Sequence, residues 1–145
     1  MARPKNNRIV HTPPVFTDFK PIGVKRNDLQ LVKLSIDQYE AIRLADSIGL
    51  SHQEAADEMN VSRSTFSRLI ESARKTVADF IIQGKLLSIE GGNIHFDHNI
   101  IKCHSCGYMF KINISEHIHN CPECDSKDLF NMAGNFGHGR CCVSN

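Results

Sequence analysis

Ser51 and Glu54 form an S-x-x-E capping box, which opens a helix by giving partners to two amide groups that would otherwise lack them. The helix must be short, because Asn60 follows soon after. Asn is one of the few non-glycine residues that accept the left-handed backbone of a helix C-terminus. Ser62 then caps a second helix, with Phe66, Leu69, Ile70, Ala73, Val77 and Phe80 at helical spacing on one face and Gly84 as its stop. The small pair Ala55-Ala56 lets the first helix approach the second closely. Two helices, a tight turn and small residues at the crossing predict a helix-turn-helix.

The opposite face of the second helix carries the chemistry. At about 100° per residue, Arg63, Ser64, Ser67, Arg68, Glu71, Arg74 and Lys75 fall on one arc. Arginine can bond guanine with two hydrogen bonds at once, and serine or threonine hydroxyls suit any base edge or a phosphate. The first turns of a recognition helix enter the major groove. Ser62, Arg63, Ser64, Thr65, Ser67 and Arg68 are therefore the candidate DNA contacts, against the plainer alternative of a solvated polar face.

Net charge hides the segregation that matters here. The whole chain of 145 residues carries +1. Residues 1–36 hold seven Lys or Arg against two Asp, residues 37–60 one Arg against six acids, and residues 61–85 five Lys or Arg against two acids. A basic start and a basic recognition helix thus flank an acidic helix. Residues 1–34 contain four of the five prolines and read as an extended basic arm, in which Arg3, Lys5 and Arg8 could reach phosphates or a minor groove. A solvated tail is the alternative.

Ser35 and Gln38 repeat the capping box and open a further helix, with Tyr39, Ile42, Leu44 and Ala45 on its apolar face and Gly49 as its C-cap. Glu40 and Arg43 are expected to form a structural ion pair. Several separated motifs now resemble one family: Arg3-Pro4, Phe19-Lys20-Pro21-x-Gly23, Glu40-Ala41-Ile42-Arg43-Leu44-Ala45-Asp46, Gln53-Glu54-Ala55-Ala56, Val61-Ser62-Arg63-x-Thr65-Phe66 and Gly84-Lys85-x-Leu87-x-Ile89-Glu90-Gly91-Gly92. Together they resemble a prokaryotic family of predicted DNA-binding proteins, catalogued as domain of unknown function one-three-four, whose helix-turn-helix is similar to region 4 of sigma factors. The resemblance covers roughly residues 3–92 and implies DNA binding and transcriptional regulation. It departs at Asn60, where the family has glycine, and at Gln38, where it has an acid.

The helix from Ser62 is expected to run to about Gln83. Its distal Val77, Phe80, Ile81 and Ile82 would pack on the N-terminal segment or form a dimer seam. Leu86–Ile89 and Ile94–Asp97, on either side of Glu90-Gly91-Gly92-Asn93, read as a β-hairpin, with His95 and His98 exposed on it.

Cys103-x-x-Cys106 and Cys121-x-x-Cys124 bracket fourteen residues, 107–120. Each pair can wrap backbone around one cation, and two such knuckles complete a tetrahedral four-thiolate site. Tyr108, Phe110, Ile112 and Ile114 alternate with Met109, Lys111 and Asn113, as in a strand with one buried face. The pattern predicts a zinc ribbon, with iron as the alternative because the same knuckles also look like those of rubredoxin-type domains. His104, His117 and His119 are read as bystanders. Cys141, Cys142 and His138 form a weaker three-ligand set in a glycine-rich tail.

The expected fold is a mainly α, trihelical helix-turn-helix domain followed by a small β zinc-ribbon domain. The expected segments are a basic arm (1–34), a helix-turn-helix domain with a C-terminal hairpin (35–98), a metal module (99–132) and a flexible tail (133–145). The expected function is DNA-binding transcriptional regulation rather than catalysis, with double-stranded DNA as partner and no membrane. Transcription machinery and a second copy of the chain stay open as partners, and a protein-interaction module or iron-based redox and electron-transfer chemistry as rival functions. With no apolar leader and no segment of transmembrane length, the chain is expected in the cytoplasm, where cysteines serve metals before disulfides.

Overall fold

The structure, a computed structural model, describes residues 8–113 and 115–133. The helices form where the local signals place them. Helix α1 (Ile36–Ile42) begins at the Ser35–Gln38 capping box and continues as a π-helix, Arg43–Ile48, to a left-handed Gly49. Helix α2 (His52–Met59) begins at the Ser51–Glu54 box and ends at Asn60, whose φ of 56° and ψ of 45° are left-handed. Helix α3 (Arg63–Gln83) starts at the Ser62 cap and stops at a left-handed Gly84. Asn60 bears a Cβ in a conformation that costs a branched residue about 1–2 kcal/mol. Asn60→Val should lower the urea midpoint accordingly while Asn60→Gly should not, and equal midpoints would show that the turn is not held left-handed.

The three helices close on one core. Ala41, Leu44, Ala55, Ala56, Met59, Phe66, Leu69 and Ile70 are all buried together, with Ile42, Ala45, Leu50 and Val61 packed around them. The bare methyls of Ala55 and Ala56 set the close approach of α2 to α3. Glu40 is fully buried, and Arg43 Nε donates to its carboxylate at 2.8 Å, so the expected ion pair forms and compensates a charge that burial would otherwise make costly.

The expectation of a mainly α fold is wrong. Among the described residues the chain is 37% helical and 22% strand, with three helices and three sheets. Strands β1 (Arg8–Val10), β2 (Asp18–Phe19) and β3 (Leu31–Leu34) lie in the segment read as an extended arm. After α3 come β4 (Leu86–Ile89), β5 (Ile94–Phe96), β6 (Asn99–Cys103), β7 (Met109–Ile112) and β8 (Leu129–Asn131). β4 does not form a hairpin with β5. It is the centre of a β2-β4-β3 sheet, antiparallel to β2 (Asp18 opposite Ser88) and parallel to β3 (Leu31 opposite Leu86). A parallel pair needs a long crossover, and all three helices supply it between β3 and β4. The complete burial of Leu86, Leu87, Ser88 and Ile89 follows from that central position.

Gly91 and Gly92 serve a different purpose from the expected hairpin turn. The carbonyl of Gly91 accepts from Ile36 N at 3.0 Å, and a Cβ on Gly92 would stand 2.8 Å from Asp37 Oδ1. The two glycines let the chain lie against the start of α1. Asp37 there pairs with Arg8, which ties the described part of the N-terminal segment to the helices. α3 packs on β3 and β4, leaving Val77 and Phe80 half-buried but Ile81 and Ile82 exposed.

Of the described residues, Arg8–Val10 and Pro14–Ile94 form one compact unit, and His11–Pro13 with the described residues from His95 to Ala133 form the other. The second unit contains the sheet β7-β6-β8, all antiparallel, around buried Ile100, Ile101, Met132 and Ala133. His95 and His98, expected to be exposed, are half-buried; Asp97 Oδ2 lies 2.7 Å from His11 Nδ1 and 3.1 Å from His98 Nδ1. No helix among the described residues is long and apolar enough to cross a membrane.

Candidate nucleic-acid interface and metal centre

The start of α3 sorts its polar residues by task. Ser62 Oγ accepts from Thr65 N at 3.1 Å and donates to Thr65 Oγ1 at 2.8 Å, so Ser62 and Thr65 belong to the helix cap. Ser67 is half-buried, with its hydroxyl 2.9 Å from His52 Nδ1; His52 also meets the Phe66 ring edge-on at 5.4 Å. That cross-link joins α2 to α3, and its histidine carries no sequence signal beyond its place in the first turn of α2. Arg63, Ser64 and Arg68 are exposed, and among the described residues neither arginine is in an ion pair.

Arg74, on the same arc, is engaged elsewhere. Its guanidinium donates to Asp46 through Nη2 at 2.7 Å and Nε at 3.1 Å, and this bonding holds the Asp46 carboxyl below its ordinary range. Of the arm residues, Arg3 and Lys5 lie outside the described residues. Arg8 lines a cavity of about 350 Å³ together with Thr65, Arg68 and Leu69.

In the second unit, Cys103, Cys106, Cys121 and Cys124 place their sulfurs within 4.8 Å of one another. Cys103 Sγ to Cys124 Sγ and Cys106 Sγ to Cys121 Sγ are both 3.6 Å. These separations are far too long for disulfides, whose S–S bond is about 2.05 Å. They match the edge of a tetrahedron, about 3.8 Å for sulfurs about 2.3 Å from a central metal. All four cysteines are free thiols.

The two knuckles share one backbone pattern. Gly107 N donates to Cys103 O and Asp125 N to Cys121 O, each at 2.9 Å. The φ values of Gly107 (78°) and Asp125 (61°) are both positive, which turns the chain around the sulfurs. Amide hydrogens favour thiolate: the backbone N–H of Cys106, then that of Ser105, brings Cys103 down to about 6 against the effect of burial. At Cys124 the Ser126 amide acts in the same sense, but burial and the thiols of Cys106, Cys103 and Cys121 push it up to about 12. Four sulfurs gathered this closely could hold a metal ion, which binds cysteine as the thiolate.

His104 turns away from this quartet. Its Nδ1 lies 2.9 Å from Asp128 Oδ1 and its ring stacks on Phe130 at 4.1 Å. Cys141, Cys142 and His138 lie outside the described residues.

The comparisons with known proteins agree with the resemblance seen in the sequence. The family model described as "Protein of unknown function DUF134" matches residues 1–97. A UPF0251 protein of Chloroherpeton thalassium is 46% identical over 143 residues, covering 97% of this chain and 95% of its own. A UPF0251 protein of Halothermothrix orenii is 42% identical over 132 residues, covering 88% of this chain and 97% of its own. No solved structure matches the chain. Matched along nearly its whole length by proteins of similar size, the chain belongs to the DUF134 family, together with these UPF0251 proteins.

Proposed function

We propose that this protein binds double-stranded DNA as a transcriptional regulator, reading it with the first turns of α3. One observation carries the proposal: Arg63, Ser64 and Arg68 are exposed on those turns, while Phe66, Leu69 and Ile70 on the reverse face are buried. A rigid helix backed by core and fronted by arginine suits the major groove, where arginine reads guanine and α2 lies across the backbone. The left-handed Asn60 and the Ser62 cap supply the tight turn between two helices that a helix-turn-helix needs.

The cysteine quartet in this proposal holds zinc as a structural ion. Four cysteine sulfurs, enough to fill every position of a tetrahedron, suit a staple rather than a reaction centre. The chain then acts by binding, without a catalytic residue, in the cytoplasm, where thiols stay reduced. Iron would fit the same tetrahedron; a colourless purified protein with one zinc per chain supports the staple, and a red one with visible absorption overturns it.

Selection of genomic fragments on the purified protein tests the DNA function. Arg63→Ala is expected to weaken binding to the selected sequence by about 1–3 kcal/mol and to relax preference at one base pair. Unchanged affinity and unchanged preference would remove Arg63 from the reading surface. A protein partner with incidental DNA contact would show little dependence of affinity on salt, whereas phosphate neutralisation makes that dependence steep.

A further inference from the structure

The cavity beside the recognition helix has a composition that the helix alone does not explain. One wall is Thr65, Arg68 and Leu69; the other is Arg8, more than fifty residues away in sequence. Arg8 is brought there by two anchors. Its backbone N donates to Asn93 O at 3.0 Å, and its Nη1 pairs with Asp37, whose side chain is only 8% exposed. A buried carboxylate behind the guanidinium holds it while leaving the side chain 31% exposed. Arg68 opposite it has no ion pair among the described residues, so the cavity keeps positive charge after Asp37 offsets Arg8. Thr65, whose hydroxyl accepts from Ser62, also lines the cavity.

Arg8 and Arg68, from separate segments, line with Thr65 a space of about 350 Å³, wide enough for a phosphate group, and paired arginines suit an oxyanion. We infer that Arg8, Arg68 and Thr65 form a binding site for one phosphate group, and that Arg68 serves this site rather than reading a base. The inference deepens the DNA proposal: on a duplex the phosphate is a backbone phosphodiester flanking the groove that α3 occupies. A free phosphate monoester offers the same chemistry, and the experiment separates the two sources.

The full chain, with Arg8→Gln, Arg68→Gln and the double variant, is titrated with a selected duplex and an unrelated duplex over a range of KCl. If one backbone phosphate is shared, each single variant loses affinity several-fold for both duplexes alike, and the salt slope falls by about one. The double variant then loses much less than the product of the two single losses, because both arginines hold the same group. Arg8→Lys should restore the slope. Arg8→Gln leaves Asp37 without its partner, so melting curves accompany the titrations, and Arg68→Gln, at an exposed position, tests the site without that complication.

In parallel, inorganic phosphate is titrated while the guanidinium resonances of Arg8 and Arg68 are followed by NMR. Shifts of both resonances, together with unchanged DNA affinity in the variants, assign the site to a free phosphate. Losses in the double variant that multiply, or no response in either experiment, overturn it. If the unaltered chain binds no DNA, the DNA proposal fails and the phosphate titration alone decides the site.

Discussion

With the proposed structural metal on the cysteine quartet, chelating it, or replacing Cys121 with serine, is expected to unfold the chain from about residue 99 to 133 while α1, α2 and α3 stay folded. The reason is the size of the core around the cysteines. Among the described residues it has Ile100, Ile101, Met132 and Ala133, with Cys103 and Cys121 themselves buried beside them. Three short strands and so few apolar side chains cannot offset the entropy of ordering that segment. A structural metal on thiolates contributes about 10–16 kcal/mol of apparent binding free energy, which is then folding free energy. Amide resonances of Ile100 and Ile101 should collapse to unfolded positions on metal removal, while those of Phe66 and Ile70 persist. If Ile100 and Ile101 keep dispersed resonances without metal, the quartet is not the staple.

Phe66→Ala is expected to destabilise the other unit by about 3–5 kcal/mol, the range for removing a buried aromatic and leaving a cavity. Phe66 has no exposed surface and sits between α2 and α3, against His52. Domain stabilities are commonly about 5–15 kcal/mol, so the loss is a large share of the whole. Urea unfolding followed by far-UV circular dichroism would show it, and Phe66→Leu should fall by less. Under the DNA proposal, affinity for the duplex should decline with the Phe66→Ala fold, because the same ring seats the helix that carries Arg63, Ser64 and Arg68. A midpoint unmoved by Phe66→Ala would mean that the core is not built around this ring.

The parts of the fold legible in the sequence are those governed by neighbours in the chain. Capping boxes at Ser35 and Ser51, the cap at Ser62 and left-handed stops at Gly49, Asn60 and Gly84 all involve residues within one turn of each other. The cysteine knuckles are equally local, and their spacing leads directly to the quartet. Strand pairing is not local. Leu31–Leu34 is a short run in a proline-rich segment, and its partner, Leu86–Ile89, lies beyond all three helices. The glycine turn at Gly91-Gly92 is a strong nearby hairpin signal, yet burial of Leu86–Ile89 on both sides rewards two other partners more. The mainly α expectation failed for that reason.

The candidate interface divides in the same way. Spacing alone gathers Ser62, Arg63, Ser64, Thr65, Ser67 and Arg68 at the start of one helix, and it places Arg74 on their arc. Which of them are free to meet a ligand is set by residues far away in the chain: Asp46 takes Arg74, His52 takes Ser67, and Asp37 draws Arg8 to Arg68. Sequence by itself determined the helix ends and the cysteine cluster, because caps, periodicity and ligand spacing act over a few residues. Only the tertiary structure decided the partners of β4 and the exposed charges at α3, because hydrogen bonds and ion pairs between distant segments exist only once the chain has closed on itself.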